Sequence, residues 1–167
     1  MSIGVLEGAL IGGAVGLAVG VAISIPNMIR QSKINKGQTV AKPGKRFQQV
    51  IPFTGDYQAV EKRLDEYLTA NNFVQQPYGE ETLYRYGKGM WSASQFIKFN
   101  QTPEGVQVEA FIVNFGSRED DLQGFVGSIP KKSLQKTVDR VITLIQAKDT
   151  GLKPDAEDQK EETDGEV

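Results

Sequence analysis

The chain has 167 residues, 39% of them apolar, enough for one compact domain of about 100 residues plus appendages but not for a second domain. It contains neither cysteine nor histidine, which excludes disulfides, thiolate chemistry, zinc sites of the Cys and His types, Ser-His-Asp catalysis and an imidazole base. The formal charge of −2 hides a strong segregation: six basic residues and no acid lie between 26 and 46, near balance holds from 47 to 148, and eight acids face two lysines from 149 onward.

From Ile3 to Ile25 the only polar side chains are Glu7 and Ser24. Such a run makes about 34 Å of helix at 1.5 Å per residue, matching a bilayer core of about 30 Å. No basic residue precedes it and all six nearby charges follow it, so it reads as a retained transmembrane anchor over residues 1–26 and not as a cleaved signal. The charge asymmetry places the N-terminus outside the cell membrane and Arg30 onward in the cytoplasm. Gly4, Gly8, Gly12, Gly16 and Gly20 fall every fourth residue, and Ser24 continues the row. Residues four apart stack along one helical ridge, and bare backbone there lets a second helix approach closely. The segment resembles the glycine-zipper stretches of oligomeric membrane proteins. That resemblance implies homo-oligomerisation through this helix.

Residues 27–46 mix basic and polar side chains with Gly37, Pro43 and Gly44 and show no sustained apolar period, which predicts a flexible tether. Arg30, Lys33 and Lys36 are its candidate contacts to lipid headgroups. No aromatic platform accompanies the charge, so a nucleic-acid partner is not expected.

Residues 47–148 alternate between periods of two and 3.6. Phe47, Gln49, Ile51 and Phe53 mark a strand; Asp56 opens a helix whose apolar face is Tyr57, Val60, Leu64, Tyr67 and Leu68. Strand-like runs follow at 82–87, 94–101 and 105–114, and Pro130 begins a helix carrying Leu134, Val138, Val141, Ile142 and Ile145. The predicted fold is an α+β, two-layer β-α-β-β-β-α domain with an antiparallel sheet, able to fold alone from residue 46. If both helices cover one sheet face, the other carries Glu109 and Phe111, with Lys98 or Arg85 opposite Glu109. Those four, with Trp91 on the loop between Gly87 and Ser94, form the candidate binding surface for a cytoplasmic protein or small ligand. Gly87 and Gly89 lack the third glycine and following helix of a nucleotide loop. The pairs Glu80–Glu81 and Asp120–Asp121 lack the spacing of a calcium loop or a paired-carboxylate site.

No catalytic constellation, cofactor site or metal site emerges. The acidic segment 149–167 is expected to be disordered. The sequence therefore points to a non-enzymatic, single-pass membrane protein serving as an interaction or scaffold module. A subunit of an oligomeric pore or transport assembly is the alternative, and an enzyme using carboxylates or lysine a third.

Overall fold

A computed structural model describes residues 26, 28–87, 93–113, 117–124 and 128–147. The apolar run 3–25, the acidic tail and Trp91 lie outside these residues. Among the described residues no helix is long and apolar enough to cross a membrane.

The elements run in the order α1 (residues 28–35), β1 (Phe47–Pro52), α2 (Tyr57–Ala70), β2 (Val74–Tyr78), β3 (Glu81–Tyr86), β4 (Ser94–Thr102), β5 (Gly105–Val113), β6 (Glu119–Asp120) and α3 (Ser128–Gln146). The sheet is antiparallel, ordered β1-β5-β4-β3-β2, with β6 continuing the β1 side of β5. The α+β class and antiparallel sheet are as expected, but the predicted strand set is short by two. Strand β2 contains Pro77, which reads as a breaker; it sits on the sheet's edge, where the missing N–H costs no ladder bond. Strand β6 is only two residues long and carries no periodicity.

Local chemistry sets the element ends. The Asp56 carboxylate accepts from the Gln58 amide at 2.9 Å, capping α2. At its other end Asn72 adopts φ 62°, Phe73 N–H reaches the Leu68 carbonyl and Asn72 N–H the Thr69 carbonyl, a paired arrangement that satisfies two otherwise open carbonyls. Gly105 follows the β4–β5 turn with φ 145°; a Cβ there would lie 2.0 Å from the Ile51 carbonyl oxygen, so only glycine admits β1 alongside.

The alternation of β5 divides two cores. Val106, Val108, Ala110 and Ile112 face α2 and α3, where they meet Val60, Leu64, Leu68, Leu134, Val138 and Val141. Phe111 and Val113 face the other way, with Leu83, Phe96 and Tyr78. That second face is not left open. Ile34 of α1 is fully buried against it and Ala41 is 2% exposed. The stretch expected to be a flexible tether is thus a third layer, a short helix followed by a strap (residues 36–46). Its buried residues are too few and too widely spaced to make a recognisable period.

Candidate functional site

The strap is fastened by backbone first. Lys42 N–H donates to the Ser117 carbonyl at 2.8 Å and the Lys42 carbonyl accepts from Glu119 N–H at 2.9 Å, a parallel bridge beside β6. Gly44 then passes so close that a Cβ would lie 1.8 Å from the Glu119 carbonyl oxygen. This course delivers Arg46, the residue before β1, onto the second sheet face.

There its guanidinium lies 4.5 Å from the centroid of Phe111 and 5.9 Å from that of Tyr78. Its Nε and one terminal nitrogen donate to the two oxygens of Glu119 at 3.0 and 2.7 Å, a bidentate fork. The other terminal nitrogen reaches Glu81 at 2.9 Å and Glu109 at 3.4 Å. Lys98 Nζ donates to the second oxygen of Glu81 at 2.7 Å, and the Tyr78 hydroxyl donates to Glu119 at 3.0 Å while accepting from Ala41 N–H at 3.0 Å.

The surroundings tune these groups. Glu119's hydrogen bond holds the Arg46 guanidinium above its ordinary value in spite of burial, which acts the other way. Burial raises the Tyr78 phenol, and the Glu119 carboxylate adds to that. Burial alone would raise the Glu81 carboxyl, but hydrogen bonds from Lys98 and Arg46 hold it below the usual range. Two cations, three carboxylates and one phenol thus take up each other's hydrogen-bonding capacity. The cluster is a clasp joining strap, β2, β3, β4, β5 and β6.

Four of the residues expected to form a binding surface are described, and they fall differently. Lys98 stands opposite Glu109 in the ladder, but its ammonium goes to Glu81. Phe111 is 1% exposed and stacks on Phe96 at 5.1 Å, so it is core and not surface. Arg85 pairs with Phe96 across the ladder, not Glu109; it donates to Gln76 Oε1 at 2.9 Å and the Gly87 carbonyl at 3.1 Å, and burial pulls its guanidinium down from its ordinary value. Of the basic trio on α1 and in the turn after it, Arg30 turns inward and donates to the Val40 carbonyl at 3.4 Å, whereas Lys33 and Lys36 are exposed. Gly4, Gly8, Gly12, Gly16, Gly20, Ser24 and Trp91 lie outside the described residues. Arg46, Glu119 and Tyr78 escape sequence reading because each belongs to a segment whose bulk composition suggests solvent exposure.

Two clefts lie on the other side of the sheet. One of about 570 Å³ borders Glu61, Asp65, Phe73 and Tyr84, where the Tyr84 hydroxyl donates to Asp65 at 2.7 Å. Another of about 510 Å³ runs between Phe53, Val60, Arg63 and Ile145. No group of three or more carboxylates among the described residues is placed to hold a metal ion. Comparison of the chain with protein-family models, with curated proteins and with solved structures finds no match.

Proposed function

We propose that this chain is a single-pass membrane protein whose α+β domain works at the cytoplasmic face as an interaction module, brought into homo-oligomers by its N-terminal helix. The observation that carries this reading is the run from Ile3 to Ile25, free of polar side chains except Glu7 and Ser24 and followed by a stretch, residues 26–46, whose charged side chains are all basic. The glycine at every fourth position supports self-association.

The test is topological. In intact cells the domain should resist added protease and become cleavable on permeabilisation, and the chain should stay with the membrane through alkaline carbonate extraction. Digestion without permeabilisation would reverse the orientation, and release by carbonate would remove the anchor.

A further inference from the structure

Helix α1 buries one side and offers the other. Gln31 is 1% exposed and Ile34 fully buried, held by Gln31 Nε2 to the Val113 carbonyl at 3.4 Å and by Gln76 Nε2 to the Ile34 carbonyl at 3.0 Å. The opposite side carries Ile29 and Lys33, and Lys36, in the turn that follows the helix with its N–H on the Ser32 carbonyl, continues the spacing of four and three residues along one stripe. Ile29 is 53% exposed, and both lysines are exposed. The strap continues with exposed Lys42, and its bridge to Arg118 sets another exposed base beside it. No acidic residue occurs from 26 to 46. The carboxylates of Glu81, Glu109 and Glu119 beside the strap are held by Arg46 and Lys98.

We propose that the Ile29, Lys33 and Lys36 side of α1, extended by Lys42, is a docking surface for an anionic lipid bilayer that orients the whole domain, strap layer toward the membrane and the α2–α3 layer toward the cytosol. This rests on the membrane reading above. Pro26, the residue next after the apolar run, is already helical, so α1 follows the run at once and is delivered to the headgroup region. An isoleucine between lysines suits that boundary: the apolar side chain enters the acyl edge while lysine stems lie along it with their ammonium groups among the phosphates. Anionic lipid attracts such a cluster within a Debye length of the surface. Because α1 is packed on the sheet, these charges are a rigid feature of the domain. A loose tether would bring lysines to the lipid and leave the domain free to tumble.

The chain has no cysteine, so a single one can carry a fluorophore in the full-length protein. One probe replaces Gln38, exposed on the strap, and another Lys132, exposed on α3. Each protein is reconstituted in vesicles of phosphatidylcholine alone or mixed with phosphatidylglycerol, and quenching by acrylamide, a neutral aqueous quencher, is measured. At low salt the strap probe should be quenched about threefold less in the anionic vesicles, and high salt or the Lys33→Glu, Lys36→Glu double variant should abolish the difference. The Lys132 probe should be quenched equally in both. Equal quenching of the strap probe in the two lipids, or protection that survives the charge reversal, overturns the docking surface. Carbonate extraction of the same vesicles decides the anchor separately: a chain that washes off yet shows lipid-dependent protection at Gln38 retains the docking surface and loses the transmembrane reading.

Discussion

Arg46 shows how much one side chain can organise when its geometry fits its neighbours. A planar fork meets the two oxygens of Glu119 while the same plane covers Phe111, a combination lysine cannot reproduce. Its side chain is 19% exposed and that of Glu119 6%, so removing the cation leaves a nearly buried carboxylate with Tyr78 as its remaining side-chain donor among the described residues. Arg46→Met should cost about 3 kcal/mol in denaturant unfolding, and Arg46→Lys should recover less than half of it. A Lys variant as stable as the wild type would show that charge alone, not the fork, matters. The same neighbourhood sets the pH limits of the fold. Glu81 is held below its ordinary value, so its contribution is present above the usual carboxylate range and is lost as pH falls through the depressed value; acid should unfold the domain, and Glu81→Gln should soften that slope. Tyr84 behaves oppositely. Burial, with the Asp65 carboxylate, pushes its phenol up to about 12, so its contribution is complete below pH 10 and is lost as pH rises toward 12. Tyr84→Phe should recover on the order of 2 kcal/mol of the alkaline loss, Tyr78 supplying a further part in the same direction. Thermal melts across pH read both signs. From sequence, the residue opposite Glu109 narrows to Lys98 or Arg85; the turn at Pro103–Glu104 puts Lys98 there in the ladder. The position of Arg46 was not, since its partners lie 35, 63 and 73 residues away.

At the level of elements, the amphipathic helices were readable because each repeats an apolar residue every three or four positions for several turns: Val60, Leu64, Tyr67 and Leu68 on α2, and Leu134, Val138, Val141 and Ile145 on α3, are all buried. The third layer was not readable. Over residues 28–46 only Gln31, Ile34 and Ala41 reach full burial, and the glycine at 44 signals close approach to Glu119, not flexibility. This alters where the folding unit begins. A fragment starting at residue 46 leaves Leu83, Phe96 and Phe111 without the cover of Ile34 and Ala41, an apolar patch that favours association. We expect a fragment from residue 26 to be monomeric and to melt cooperatively, and one from residue 46 to bind a hydrophobic dye and aggregate. Within the longer fragment Ile34→Ala should cost roughly 3 kcal/mol, lowering Tm by about 10–20 °C. Equal melting of the two fragments would reduce the strap to an ornament on a self-sufficient two-layer domain.

Across the whole molecule, the strap and the glycine row together decide how copies would meet. If α1 is rigid with the sheet and follows the apolar run at once, any pairing of the N-terminal helices brings the attached domains together at a set distance, with little slack between them. In lipid no hydrophobic gain draws helices together, so close backbone contact along Gly4, Gly8, Gly12, Gly16 and Gly20 would have to supply the association. The i to i+4 ridge is inclined to the helix axis, which favours a right-handed crossing near −40° with its closest contact at the centre. Replacing Gly12 and Gly16 with leucine places two large side chains where backbones should touch. Association in a bacterial-membrane reporter assay should fall to the level of a non-interacting control, whereas leucine at Gly13, off the row, should leave most of it. Substitutions at Gly4 or Gly20, toward the ends, should weaken it less than those at the centre. If Gly12 and Gly16 tolerate leucine as well as Gly13 does, the glycines reflect only the common use of small residues in membrane helices, and any assembly of this protein must be held together by the domains themselves.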